Sequence, residues 1–213
     1  EFPGTVYMPN TNMLSTNLMG FAGYVNIPEF NAWSPASLIL NNALLAFPAG
    51  FAFNVSGNML ISGSNACLLV NPDAAFTCGG HLTLTNAGQL RIYGAPTNGA
   101  AGAYGSLVNV GGQLSVAPES WIYPYADPTN GGAPLIRCGR FHIAAGGGIS
   151  ANGAGFRQDR GPGKSPSVTY AGGAGYGGMG GIGSGAGATG GDIYGSSNMP
   201  VAAGSGGGSY LAG

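Results

Sequence analysis

The sequence predicts an all-β chain, built as a short right-handed parallel β-helix (solenoid) with an N-terminal cap and a Gly-rich C-terminal insertion. Three observations lead there. Gly and Pro recur too often for helices of ordinary length. Apolar residues alternate with period two, which turns one face of each strand inward. A strand–break–strand template also recurs four times, the mark of stacked repeats.

Composition sets the bounds. The 213 residues suit one domain. Hydrophobic residues make up 44% and the net charge is −1, the opposite of a disordered chain. Charged residues make up only 6%, so Asn, Ser, Thr and exposed backbone must keep the surface soluble. Six scattered Lys and Arg make no patch for nucleic acid or anionic membranes. The most apolar stretch, 36–55, is interrupted by Asn41, Asn42 and Pro48, so no membrane insertion is expected. The chain starts at Glu1 without a methionine, as after removal of a signal peptide or within a longer gene, and an extracellular or cell-surface location is expected.

Along the chain, residues 1–54 hold apolar runs such as Leu38-Ile39-Leu40 among several prolines, and read as an N-terminal cap with irregular first turns. Residues 55–155 hold the template: Val55-Ser-Gly57-Asn-Met59-Leu-Ile61, Cys78-Gly-Gly80-His-Leu82-Thr-Leu84, Val110-Gly-Gly112-Gln-Leu114-Ser-Val116, and Cys138-Gly-Arg140-Phe141-His-Ile143, the last one residue short. Beyond each copy the inward places are read as Cys67 and Leu69, Leu90 and Ile92, Ile122 and Pro124, Ile149 and Ala151. The strand pair is constant while the connection to the next copy varies in length, as in solenoids. Residues 156–213 read as a Gly-rich insertion and a final rung. A β-sandwich or jelly roll accommodates short strands and Gly/Pro turns too, but no Asn-Gly or Asp-Gly turn joins two alternating runs directly. Within 172–191, Gly at every third place (172, 175, 178, 181) suits closely packed extended coils, while the interleaved Tyr176, Met179 and Ile182 argue against a flexible linker.

Candidate chemistry is sparse. Glu1, Glu29, Asp73, Glu119, Asp127, Asp159 and Asp192 are dispersed, so the close carboxylate pair of a glycosidase or a calcium cluster is not expected. His81 and His142 have no Ser-Asp arrangement beside them, and three cysteines with two histidines make no zinc set. No cofactor, metal or catalytic residue is assigned. Arg157, Asp159, Arg160 and Lys164 read as a solvated loop. Cys67 and Cys78 either pair or stay buried thiols, and Cys138 is a core thiol. Asn54-Val55-Ser56 is a glycosylation sequon at Asn54. Tyr93, Trp121, Tyr123 and Tyr125 are candidate rings for stacking on sugars.

From Gly139 onward the chain carries Ile143-Ala-Ala-Gly-Gly-Gly-Ile149-Ser-Ala151-Asn-Gly153, Gly173-Ala-Gly175-Tyr176-Gly177-Gly178-Met179-Gly180-Gly181, Tyr194-Gly195-Ser196 and Gly204-Ser-Gly-Gly-Gly208. These resemble Gly-rich extracellular β-helix proteins of protists, oomycetes and plants, pectin-lyase-like in architecture. Tyr176 and Met179 stand where such proteins have His and Arg, so any role of that basic pair is absent. The resemblance implies a surface- or wall-associated β-helix and transfers no catalytic role. The expected function is a non-catalytic secreted structural protein, self-associating in a filament, coat or wall. A carbohydrate- or ice-binding solenoid is the alternative and a polysaccharide lyase or hydrolase the third. Against ice binding, Thr83 and Thr85 have no counterparts in the other copies.

Overall fold

The computed structural model describes residues 4–96, 105–168, 170–196, 198 and 201–209. They form two compact units, the first from the described residues of Glu1–Tyr93, Ser106–Pro124 and Pro134–Ser150, the second from those of Gly94–Gly105, Tyr125–Ala133 and Ala151–Gly213. The strands are β1 (Thr5–Tyr7), β2 (Asn17–Met19), β3 (Ala22–Asn26), β4 (Ala32–Trp33), β5 (Leu38–Asn41), β6 (Leu44–Ala46), β7 (Ala52–Val55), β8 (Met59–Ser62), β9 (Cys67–Val70), β10 (Ala75–Cys78), β11 (Leu82–Thr85), β12 (Gln89–Tyr93), β13 (Ser106–Val116), β14 (Trp121–Tyr125), β15 (Pro134–Ile143) and β16 (Gly148–Ile149). The protein is all-β, and its strands pair in parallel.

Three ladders run through the first unit. One stacks β4, β7, β10 and the first halves of β13 and β15; the next stacks β2, β5, β8, β11 and the second halves of β13 and β15. The third stacks β1, β3, β6, β9, β12, β14 and β16. From β2 onward the chain visits second, third and first ladder in turn.

The register is the one the template demands. Val55 pairs with Cys78, Cys78 with Val110 and Val110 with Cys138. Met59, Leu82, Leu114 and Phe141 form the matching row, and the missing residue of the fourth copy appears as a register shift between Val110 and Gln113. The third ladder corrects one detail: Leu68 and Val70, not Cys67 and Leu69, pair with Leu90 and Ile92 and are buried among the core side chains. The turn Gly63-Ser64-Asn65 is one residue longer than Asn86-Ala87 and Pro118-Glu119 in the rungs that follow, and in a strand a one-residue slip moves every side chain to the other face.

Residues 1–54 are more regular than a cap with irregular turns. Trp33 pairs with Phe53, Leu38 with Met59 and Leu45 with Leu68, so the ladders reach back through this segment. At the other end, no described residue of 156–213 lies in a strand, Asp192, Ile193 and Tyr194 included, and Tyr210 and Leu211 of the expected final rung lie outside the described residues.

Inward rows fill the interior. The row Trp33, Phe53, Phe76 brings rings face to face, with centroids 5.6 and 5.2 Å apart, and Phe47 lies flat on Phe51 at 4.0 Å. Leu38, Leu40, Leu82, Leu84, Leu90, Ile92, Leu114 and Val116 are completely buried. Burial of side chains of this size is worth about 1.5–3 kcal/mol each, and this ladder of apolar contacts holds the unit together.

Glycine sets how closely rungs approach where the first ladder bends into the second. A Cβ on Gly79 would lie 2.3 Å from the Ser56 carbonyl oxygen, and one on Gly111 2.4 Å from that of Gly79. The turns after the second ladder carry another device. In Ala117-Pro118-Glu119-Ser120 the Ser120 N–H donates to Ala117 O (3.2 Å) and Glu119 has φ 64°, the pattern of a type II turn with Pro second and a left-handed residue third. Pro28-Glu29 and Pro72-Asp73 repeat it after the third ladder, with φ 61° and 60°. Ser120 is fully buried, and its Oγ has no hydrogen-bond partner among the described residues. Its place in neighbouring rungs is taken by Ala43, Ala66, Gly88 and Gly147, which have no side-chain polar atom.

The second unit has glycine for a core. Gly163, Gly172, Gly175, Gly190 and Gly191 are buried. Its segments exchange backbone hydrogen bonds, among them Gly173 N–H to Gly181 O (2.8 Å), Gly191 N–H to Gly173 O (2.9 Å) and Gly175 N–H to Gly163 O (2.8 Å). A Cβ on Gly191 would lie 1.9 Å from Gly163 O, and one on Gly190 1.8 Å from Gly180 O. Of the glycines at three-residue spacing, Gly172 and Gly175 leave no room for a Cβ, whereas a Cβ on Gly178 or Gly181 would meet nothing within 4 Å. Asp159 pins the unit's end, accepting from the Ser167 hydroxyl and from Ser209 N–H, and these bonds hold its carboxyl below the usual range.

Two pairs of variants test this account by chemical denaturation and hydrogen exchange. Gly79→Ala is expected to cost the first unit about 1–3 kcal/mol through overpacking, whereas Ser120→Ala, which removes an unpaired buried hydroxyl, is expected to stabilise it by about 1 kcal/mol. In the second unit Gly191→Ala is expected to abolish protection of the Gly173, Gly175 and Gly180 amides, and Gly178→Ala to leave it unchanged.

Candidate functional site

The outward side of the third ladder gathers the sequence's candidate rings. On β12 Leu90 and Ile92 are buried, so Gln89, Arg91 and Tyr93 point outward; on β14 the buried Ile122 sends Trp121 and Tyr123 the same way. Trp121 N–H donates to Gly88 O (3.1 Å), which sets Trp121 beside Gln89 and Tyr123 beside Arg91. Two outward rows result: Ala22, Leu44, Cys67, Gln89, Trp121, Gly148, and Tyr24, Ala46, Leu69, Arg91, Tyr123. Tyr125 belongs to the second unit.

The rings are held in place. Trp121 and Tyr123 have centroids 6.5 Å apart and planes 29° apart, and the indole leans over Gly148, where a Cβ would lie 2.7 Å from Cζ3. The Arg91 guanidinium carbon stands 5.8 Å from the centre of the Tyr123 ring, a cation–π contact. Arg91 also donates from Nε (3.1 Å) and Nη2 (2.8 Å) to Gln89 Oε1. Beside this pair an open groove of about 540 Å³ runs back along the rows, with Leu44, Cys67, Gln89 and Arg91 in its lining and Asn42, Ser64 and Asn65 from the turns at its side.

The outward side of the second ladder passes from apolar to polar residues along the stack. Its row reads Ile39, Leu60, Thr83, Ser115, His142, so Thr83 has no threonine neighbour. At its entrance Asn58 Oδ1 accepts from His81 N–H (2.8 Å) and His81 Nδ1 accepts from Gln113 N–H (2.9 Å), a side-chain ladder across three rungs. Both side chains are engaged in holding backbone.

Glu29, Asp73, Glu119 and Asp159 occupy left-handed turn positions, and Asp127 Oδ1 accepts from Thr129 N–H (3.0 Å) and Asn130 N–H (2.6 Å). Glu1 lies outside the described residues. Around Asp159, Arg157, Arg160 and Lys164 are exposed. Asn54 is exposed on β7, its sequon on the outward side of the first ladder. The signal that sequence reading missed is the turn geometry: Pro followed by Glu or Asp in 28–29, 72–73 and 118–119.

The Cys67–Cys78 pairing has no geometry here. Cys67 lies outward on β9, packed with Ala46 and Leu69, while Cys78 lies inward on β10, and both are free thiols. Cys78 Sγ donates to Gly57 O at 3.2 Å. Burial pushes the Cys67 thiol up to about 11 against the opposing pull of Arg91, and burial raises Cys78 as well. Cys138 is a half-buried free thiol in the row of Cys78, with Val110 between them.

No protein-family model, no curated protein and no solved structure matches the chain. Among the described residues no helix is long and apolar enough to cross a membrane.

A disulfide-exchange reagent at pH 8 is expected to label Cys138 alone in the native protein, because Cys67 and Cys78 are buried and remain protonated. Labelling of all three is expected only on unfolding, and mass mapping distinguishes the sites.

Proposed function

We propose that this chain is a non-catalytic structural module of an extracellular filament, coat or cell wall, in which its three ladders wind into a right-handed parallel β-solenoid that associates with further copies. One observation carries this reading. In the last rung β15 and β16 pair on one side only among the described residues. Their inward residues Phe141, Ile143 and Ile149 are 43%, 39% and 44% exposed, whereas Leu114, Val116 and Ile122, one rung earlier, are 0% exposed. An apolar end with free backbone groups is a template for strand addition.

The opposite end of the ladders is formed by β1, β2 and β4, so stacking one copy's β15 and β16 on the next copy's first strands continues all three ladders in parallel. Such head-to-tail contact does not close and generates a filament. Low charge leaves little repulsion against stacking. The non-catalytic part of the reading is supported by Asp127 and Asp159, whose carboxylates accept hydrogen bonds within the fold, and by His81, whose ring accepts from backbone. Secretion, and a glycan on Asn54, rest on the exposed sequon and the resemblance noted in the sequence.

The test is assembly of the full chain. Sedimentation and electron microscopy are expected to show concentration-dependent, end-to-end oligomers, and Ile143→Lys is expected to return the protein to a monomer without loss of its strand signal. A monomer at all concentrations, or unchanged assembly in the lysine variant, overturns the proposal.

A further inference from the structure

The geometry points to a binding site for an extended, neutral polysaccharide on the outward side of the third ladder, lying along the rungs from the groove at Leu44 and Cys67 to the rings of Trp121 and Tyr123. This site is independent of self-association, since it uses the side of the ladder and not its end.

The chemistry of the two rows selects the ligand. A pyranose ring has an apolar C–H face and a rim of hydroxyls. The rows offer the complement: an apolar floor of Leu44 and Cys67, then two held rings, with Asn42, Ser64, Asn65 and Gln89 as hydrogen-bonding groups. With its oxygen accepting from Arg91, Gln89 has its amide NH₂ group to offer sugar hydroxyls. Arg91 is the single charged residue in this lining, and its guanidinium is already engaged by Gln89 and by the Tyr123 ring, which argues for a neutral ligand over a polyanion.

Spacing selects an extended chain. Successive rungs repeat at about 4.8 Å, close to the length of one sugar in an extended polymer, so about one sugar lies over each rung. Gly148 completes the platform, because the indole of Trp121 occupies the space that any side chain there would fill.

The experiment uses the full chain with Trp33→Phe, leaving Trp121 as the one tryptophan, and follows its emission during titration with soluble oligosaccharides of the cellulose, chitin, β-1,3-glucan and mannan series. Pull-downs on the insoluble polymers run alongside. A saturable change with at least one series is expected, strengthening with chain length up to four or more sugars. In the pull-down, Trp121→Ala is expected to weaken retention at least tenfold with an unchanged melting curve, and Gln113→Ala, on the second ladder, to change it less than twofold. Gly148→Ala, which displaces the indole without removing it, is expected to weaken retention as well and serves should Trp121→Ala fail to fold. Retention of no neutral polymer, wild-type retention by both Trp121→Ala and Gly148→Ala, salt-sensitive binding confined to pectate or alginate, or binding confined to branched glycans of glycoproteins would each overturn the assignment.

Discussion

The structure depends on how closely one pass of backbone can lie against the previous one. Each rung of the first unit hydrogen-bonds to its neighbour in parallel register, and where the first ladder bends into the second the carbonyl of one rung occupies the place of the next rung's Cβ. At Gly79 and Gly111 that space is 2.3 and 2.4 Å from an oxygen, less than any side chain accepts. The glycine column is therefore a condition of the stack, and the apolar rows on either side of it follow from the same register.

The second unit carries this logic to its limit. Its buried residues include Gly163, Gly172, Gly175, Gly190 and Gly191, so extended backbones meet with nothing between them and exchange hydrogen bonds directly. Hydrophobic burial contributes little there, because glycine removes no apolar side chain from water. Backbone hydrogen bonds and close contact take its place, with Asp159 joining segments fifty positions apart in the chain. The two units thus use one principle with different fillings: apolar side chains in the first, main chain alone in the second.

Low charge shapes the surface in the same economical way. Four of the carboxylates sit at left-handed turn positions, where Asp and Glu carry a conformational cost that Gly avoids. On the third ladder Arg91 is tied to Gln89 and to the Tyr123 ring. Around it in the groove stand amides and hydroxyls from Asn42, Ser64, Asn65 and Gln89, with the rings of Trp121 and Tyr123 beside them.

Much of this was legible in the sequence, and the reasons for the rest are physical. The template Val55, Cys78, Val110, Cys138 determined the register of both halves of the strand pair, including the shortened fourth copy, because period-two alternation and corner glycines are local signals. The same reading misplaced Cys67, since only the path of the Gly63-Ser64-Asn65 turn decides whether the next strand enters one residue early or late. It read the ladders in residues 1–54 as irregular, because prolines at the turns masked strands as short as Ala32–Trp33. It identified Tyr93, Trp121, Tyr123 and Tyr125 as candidate rings by type. Which of them share a face, and that Trp121 leans over Gly148, came only from the stacking of β14 between β12 and β16. The sequence by itself determined the strand period, the corners and the inward rows, all properties of neighbours a few residues apart. The tertiary structure alone decided which rungs end the stack, which outward residues line up across it, and which glycines touch, because each of these depends on segments brought together from distant parts of the chain.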